Sequence, residues 1–128
     1  MSTITKPTAG DVAWTEIATS NPRESLAFYT NLFGWSADEM PGTGYHMLKT
    51  GDREVAGLMD KSMHCEGPPL WISYIQVDDL EASLERVKSL GGKEMMGITP
   101  VEGRGRFAFA EDPQGGKFAL WEALGEDS

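Results

Sequence analysis

Hydrophobic and polar residues alternate over the first patterned stretch of the chain, V-A-W-T-E-I-A at residues 12–18. Strict alternation is typical of a β-strand whose two faces lie in different environments. Trp14 and Glu16 share one face of this predicted strand, because successive side chains point to opposite sides. A helical pattern begins a few residues later. The first predicted element is therefore a strand that leads into a helix.

This helix is delimited by capping residues at both ends. Asn21 is a favourable N-cap, and Pro22 suits the first helical position, where an N–H would have no partner within the helix. Gly34 is a typical C-terminal stop. The apolar residues between the caps recur at helical spacing and form a broad stripe: Leu26, Phe28, Tyr29, Leu32 and Phe33. An amphipathic helix is predicted over residues 22–33.

The rest of the chain repeats this arrangement after an interruption. Residues 61–70 have no periodicity and contain Gly67-Pro68-Pro69, so they are predicted to be a linker. A second helix is predicted to begin after Asp78 or Asp79 and to end at Gly91-Gly92. The predicted strands cover residues 12–18, 35–40, 45–50, 54–59, 71–77, 95–98, 106–110 and 117–122.

The two halves match at a constant offset. Ser25-Leu26 and Ser83-Leu84 are 58 positions apart, and the same offset carries Asn21 onto Asp79 and Gly34 onto Gly92. A repeat across cap, helix and stop indicates a duplicated βαβββ unit. We predict one α+β domain over residues 1–128, with modules at 12–60 and 71–123, a curved eight-stranded mixed sheet and a concave cleft.

Composition narrows the classes of partner. The 128 residues carry a formal net charge of −9, which disfavours nucleic acid. No apolar run approaches the roughly 20 residues of a membrane span, so no membrane association is predicted. The N-terminus has no signal-peptide pattern, and the single cysteine suits a reducing compartment. A cytoplasmic location is therefore expected.

Three stretches resemble the vicinal oxygen chelate superfamily, which includes glyoxalase I, extradiol dioxygenases and bleomycin-binding proteins. They are A-F-Y-T-N-L-F-G-W at residues 27–35, V-D-D-L at 77–80 and E-D-P-Q-G-G-K-F-A-L-W-E at 111–122. The resemblance covers nearly the whole chain. It implies paired modules that cup a divalent metal, with a His or Gln from each first strand and a Glu from each last strand as ligands.

Aligned with that family pattern, the four ligand positions fall on Trp14, Ile72, Ala119 and Ala56, and none of these side chains can bind a metal. The chain therefore resembles the metal-free, glyoxalase-like or bleomycin-resistance-like branch, and we predict no metal ligand and no cofactor. The alternative is a divalent metal held in a shifted register. That would imply a glyoxalase I-like lyase or an extradiol-like dioxygenase.

The candidate ligand-binding residues surround those positions. Trp14, Tyr74 and Trp121 share strand faces with them, which predicts a cleft for a flat aromatic or apolar small molecule. The alternative is that these rings fill the space that the metal site would occupy. His46, in a strand after the P-G-T-G turn, could face the cleft or the solvent. The predicted ligand-binding residues are Trp14, His46, Ile72, Tyr74 and Trp121.

Glu16 is the candidate catalytic residue. A carboxylate among aromatic side chains would have a raised pKa, which suits the general acid or base of a metal-free isomerase or lyase. The alternative is a Glu at the rim of the cleft, solvated or paired with a basic residue.

A third hypothesis is an interaction module whose aromatic face binds a partner protein. A homodimer is expected from the family resemblance and from the need to cover sheet edges.

Two further residue groups have weaker patterns. His64 and Cys65 lie in the predicted linker and match no structural zinc spacing. Arg104 and Arg106, in G-R-G-R, either grip an anion or are solvated arginines of a hairpin connection.

Overall fold

The computed structural model describes residues 8–42, 44–60 and 68–124. Two helices and eight strands follow one another in the order βαβββ–βαβββ, which confirms the predicted α+β class and its duplicated unit. The elements are β1 (Val12–Thr19), α1 (Pro22–Phe33), β2 (Ser36–Met40), β3 (Tyr45–Thr50), β4 (Arg53–Asp60), β5 (Leu70–Gln76), α2 (Leu80–Ser89), β6 (Lys93–Val101), β7 (Gly105–Glu111) and β8 (Lys117–Ala123). Most of the predicted linker, with His64 and Cys65, lies outside the described residues.

The chain divides into two compact units, Trp14–Ile72 and Ser73–Ser128 together with Met1–Ala13. The strands run in the order β2-β3-β4-β1 in the first half of the chain and β5-β8-β7-β6 in the second. β1 pairs in parallel with β4, and β5 pairs in parallel with β8. The other strand pairs within each half are antiparallel. Each half therefore contributes four strands in a mixed arrangement, as the repeat predicts.

Both helices begin at the residues that the sequence indicates. The Asn21 side chain accepts a hydrogen bond from the Glu24 N–H at 3.2 Å, and the Asp79 side chain accepts one from the Ala82 N–H at 3.0 Å. These bonds satisfy backbone donors that have no partner in the first helical turn. Gly34 ends α1 with a φ of 72°, a backbone conformation that glycine adopts without steric cost.

The core of the first unit lies between its strands and α1. Ile17, Leu48, Ala56 and Leu58 are buried there, and Leu26 and Tyr29 of α1 are partly buried against them. No residue of α1 is fully buried. The rest of the apolar stripe is on the surface, with exposed fractions of 60% for Phe28, 58% for Leu32 and 55% for Phe33.

The core of the second unit buries part of its helix completely. Leu80 and Leu84 of α2 pack against Ala108, Ala110 and Leu120 of the neighbouring strands. These side chains alternate with residues on the other face of the strands, as period-2 patterning requires. The second helix is therefore held by a closed apolar contact that α1 lacks.

Ion pairs also fasten α2 to its strands. Arg106 of β7 donates two hydrogen bonds to the Glu81 carboxylate, at 2.6 and 2.8 Å, and a third to Glu122 of β8 at 2.8 Å. Glu122 Oε1 also accepts from the Leu80 N–H at 3.3 Å. The hydrogen bonds from Arg106 hold the pKa of Glu81 below its usual value. The Arg106 guanidinium is therefore not free to grip an anion, because it is already bound to two carboxylates.

No helix in the described part of the chain is long and apolar enough to cross a membrane.

Candidate functional site

Aromatic side chains cover the face of the second unit's strands that points away from α2. Trp121 of β8 is the register partner of Phe107 of β7, and Ala119 is the partner of both Phe109 and Tyr74. Neighbouring residues at these positions share one face of a sheet. The core residues Ala108, Ala110 and Leu120 occupy the alternate positions, on the α2 side.

The four rings on this face contact one another and are called the aromatic face below: Tyr74, Phe107, Phe109 and Trp121. Tyr74 lies at the centre, with edge-on contacts at centroid distances of 5.6 Å to Phe107, 5.9 Å to Phe109 and 6.4 Å to Trp121. These distances are within the range of favourable aromatic pairs. Tyr74, Phe107 and Phe109 are buried, whereas Trp121 is half-buried.

Gln76 lies at the end of the same strand face, two residues after Tyr74 and beside Trp121 in the register. Its side chain is fully buried. The amide nitrogen Nε2 donates a hydrogen bond to the Val77 carbonyl oxygen at 3.0 Å. The amide oxygen Oε1 is buried and has no hydrogen-bond partner in the described part of the chain, which is uncommon for a buried polar atom.

Trp14 and Glu16 lie in the first unit, on the strand face that points away from α1. The Trp14 indole N–H donates to the Tyr45 hydroxyl at 2.8 Å. The Tyr45 ring lies so close to Gly57 that a Cβ at that position would collide with it. Glu16 is the register partner of Gly57 and is 1% exposed. A carboxylate is therefore buried on the same face as a hydrogen-bonded pair of aromatic side chains.

The positions at which the family resemblance implies metal ligands lie on both faces of the strands. Trp14 lies on the face of Glu16, and Ala119 on the face of Tyr74. Ala56 was a wrong assignment, because it packs with Ile17 and Leu58 on the α1 side. Gly57 occupies the position beside Glu16 instead, and it has no side chain.

The residues at these positions do not fit a divalent metal, because an indole, a methyl group and a hydrogen atom offer it no ligand. Ile72, at the fourth position, is an aliphatic residue buried in β5. Among residues 8–42, 44–60 and 68–124, no three His, Cys, Asp or Glu side chains are grouped so that they could hold a metal ion.

His46 does not share a face with Trp14 and Glu16. Its register partner in β4 is Leu58, a core residue on the α1 side. It lines a shallow surface depression of about 500 Å³ together with Arg23, Leu26, Ala27, Thr30 and Ala37. The predicted grouping of His46 with the aromatic ligand-binding residues is therefore corrected: it lies on the helix side of its strand.

The other predicted residues fall into both units. Trp14, Glu16 and Ile72 belong to Trp14–Ile72, whereas Tyr74 and Trp121 belong to the second unit and are brought into contact there. Sequence reasoning missed Phe107, Phe109, Tyr45 and Gln76. The alternation R-F-A-F-A at residues 106–110 was a usable signal for the two phenylalanines, because it puts both rings on the face opposite the two alanines.

A family model described as Glyoxalase/Bleomycin resistance protein/Dioxygenase superfamily matches residues 11–120. The chain belongs to this superfamily. Solved structures agree on the fold of this glyoxalase-superfamily chain. A superfamily member from Vibrio splendidus 12B01 is similar over 87% of this chain and 97% of its own chain. Its TM-score is 0.59 and its sequence identity is 15%. At that identity the likeness concerns the fold alone.

Two curated relatives are more similar in sequence. CFP32 of Mycobacterium tuberculosis, named provisionally as a glyoxylase, is 36% identical over 120 residues, which cover 89% of this chain and 46% of the relative. The anthracycline biosynthesis protein DnrV of Streptomyces peucetius is 31% identical over 134 aligned residues, which cover 92% of this chain and 49% of the relative. The chain therefore spans about half the length of the curated relatives that it matches.

Proposed function

We propose that this chain binds a flat aromatic small molecule on its aromatic face, without the metal that the wider family uses. The observation that carries the proposal is the cluster of four rings that contact one another through Tyr74, of which Trp121 is only half-buried. Such a surface offers edge-on and stacked contacts to another ring and removes a large apolar area from water.

Two observations support this choice of ligand class. Ala119, which lies on the aromatic face, occupies a position at which the family resemblance implies a Glu metal ligand, so this part of the face is apolar here. One relative is named as an anthracycline biosynthesis protein, which points to a small-molecule context. A hydrophobic surface with few polar groups is typical of small-molecule sites in proteins.

The test is a calorimetric titration with 2-naphthol, a small flat aromatic probe. We expect saturable binding to the wild type and at least tenfold weaker binding to Trp121→Ala, because that variant loses the accessible ring. Trp71→Ala is the control, since Trp71 belongs to the first unit and contacts Tyr29. Absence of binding, or equal weakening in both variants, would contradict the proposal. Melting temperatures of the variants check that each is folded.

A second candidate function is proton transfer by Glu16. Glu16 is buried in β1 on the face of Trp14, and a carboxylate is a common general base in enzymes. In this proposal the carboxylate of Glu16 takes a proton from the carbon beside a substrate carbonyl, leaving an enolate. The Glu16 carboxylic acid exchanges its proton with solvent and then returns one to the same carbon, which restores the carboxylate.

This second function is tested with 2-tetralone, an aromatic ketone with acidic hydrogens beside its carbonyl. In heavy water we expect the protein to accelerate deuterium exchange at that carbon and Glu16→Gln to lose the acceleration, because an amide cannot act as the base. Exchange at the uncatalysed rate with wild type, or unchanged exchange with the variant, would rule the function out. Glu24→Gln, on the exposed first turn of α1, is the control.

We also propose that two copies of the chain associate through the exposed part of α1. The α1 patch consists of Phe28, Leu32 and Phe33 with Trp71 of β5, which is 41% exposed. Tyr29 connects these rings, stacking with Phe33 and meeting Trp71 edge-on. At about half exposure, four such residues present about 400 Å² of apolar surface, as much as the largest patch of a typical monomer.

A second copy is the occupant that fits this patch best. α1 carries one arginine and one glutamate, so the overall charge of −9 is not concentrated where the two copies would meet. A patch of one helix can pair with itself about a two-fold axis. The relatives that the chain matches over about half their length have room for a second unit of this size.

Sedimentation equilibrium tests this association with a matched pair of variants. Leu32 and Leu90 are equivalent in the sequence repeat and are 58% and 62% exposed. We expect a dimer of the 14.0 kDa chain for wild type and Leu90→Glu, and a monomer for Leu32→Glu. A monomeric wild type, or a dimer that tolerates Leu32→Glu, would contradict the proposal.

A further inference from the structure

The side-chain amide of Gln76 has one satisfied end and one unsatisfied end. Nε2 donates to the Val77 carbonyl oxygen, whereas Oε1 is buried and accepts no hydrogen bond from residues 8–42, 44–60 and 68–124. An unsatisfied buried acceptor is a net cost to the folded protein, since the same atom is hydrated when the chain is unfolded. The position of Gln76 is therefore better explained by a partner from outside the chain.

The orientation of this amide is fixed by its neighbour. The Val77 carbonyl can only accept a hydrogen bond, so the end of the Gln76 amide that faces it must be the NH₂ group. Exchanging the two ends would bring two acceptor oxygens together. The free end is therefore an acceptor, and it can be satisfied only by a donor.

The free acceptor belongs to the aromatic face. Gln76 points to the same side of β5 as Tyr74, and its register partner in β8 is Trp121. Its backbone is fully used, because its N–H donates to Asp11 and its carbonyl accepts from Gly10. The strand is thus held on both sides, and the side-chain oxygen is the remaining unsatisfied group of this residue.

We propose that Gln76 selects ligands that carry a hydrogen-bond donor on an aromatic ring, such as a phenolic hydroxyl or a ring N–H. The proposal rests on the proposed function, because it assigns the polar contact of the same aromatic face. The ring of the ligand contacts the half-buried Trp121, and its donor reaches Gln76 Oε1 once the side chains that cover this buried atom move aside. A site built around a buried acceptor rejects an analogue that lacks the donor, because the acceptor then stays unpaired.

The experiment compares three probes of one ring system: 2-naphthol, 2-methoxynaphthalene and naphthalene. Only the first carries a donor. We expect wild type to bind 2-naphthol at least tenfold more tightly than either of the other two, and Gln76→Met to bind all three about equally. Met has a similar length and removes the acceptor. Gln114→Met is the matched control, since Gln114 lies in the exposed turn before β8.

The outcomes separate the two proposals. Equal binding of all three probes to wild type would overturn the role of Gln76 while leaving the aromatic site intact, as would an undiminished preference for 2-naphthol in Gln76→Met. No binding of any probe would overturn both proposals. A melting temperature of Gln76→Met that equals or exceeds that of wild type would confirm that the weaker binding of 2-naphthol does not come from unfolding.

Discussion

The two helices of this chain occupy equivalent positions in a repeat, yet they are held in different ways. α2 buries Leu80 and Leu84 and is fastened by Arg106 to Glu81 and Glu122. α1 has no fully buried residue and leaves Phe28, Leu32 and Phe33 exposed. Duplication of a supersecondary unit therefore preserves the side-chain cap at the start of its helix, while the burial of the helix's apolar face can change.

The largest expected difference concerns the equivalent leucines Leu84 and Leu26. Leu84→Ala should lower the free energy of unfolding by about 3 kcal/mol, because it leaves a cavity in a closed core. Leu26→Ala should cost about 1 kcal/mol, since Leu26 is only partly buried. Urea unfolding of wild type and both variants measures the two losses in the free energy of unfolding. Equal losses would mean that α1 is as tightly packed as α2.

In contrast to the two leucines, the two N-terminal helix caps should contribute equally to the free energy of unfolding. Asn21→Ala and Asp79→Ala each remove one hydrogen bond to a first-turn N–H, and each should cost about 1 kcal/mol. Urea unfolding again gives the values. Asn21→Ser and Asp79→Ser are the controls, because serine also caps a helix and should restore most of the loss. A much larger cost at one cap would show that the two helix starts are not equivalent.

The smallest effect concerns the ion pair between Arg106 and Glu81 of α2. Arg106 holds the pKa of Glu81 below its usual value. The stabilisation that this ion pair gives the folded protein is therefore complete above the ordinary glutamate pKa of about 4.3, and it is lost as pH falls through the lowered value. Between about pH 6 and about pH 3, the melting temperature should therefore fall more steeply for wild type than for Glu81→Gln. Glu81 is exposed, so the difference is small. Parallel curves would contradict the role of the pair.

Much of this fold could be predicted from the sequence, because local chemistry decides it. Asn21, Pro22 and Gly34 delimit α1 at Pro22–Phe33, as expected. The predicted strand at residues 95–98 was too short, since β6 covers Lys93–Val101. Its register against β7 shifts twice, and such irregularities interrupt the alternation by which strands are recognised.

The candidate site was less predictable, because it depends on what lies opposite each strand face. The alternation of side chains along a strand placed Tyr74 and Trp121 on a shared face correctly. It could not decide which face His46 occupies, nor choose between Ala56 and Gly57. The unsatisfied oxygen of Gln76 depends on tertiary contacts that no sequence pattern contains. In the same way, the stripe on α1 indicated an amphipathic helix but not how much of it would be covered.

The aromatic face and the α1 patch are two aromatic surfaces in different units, and one measurement distinguishes them as ligand sites. In ¹H–¹⁵N spectra each tryptophan indole N–H gives its own signal, so Trp121 reports on the aromatic face and Trp71 on the α1 patch. On addition of 2-naphthol we predict a saturable shift of the Trp121 signal while that of Trp71 stays in place. A shift of Trp71 without one of Trp121 would contradict the account.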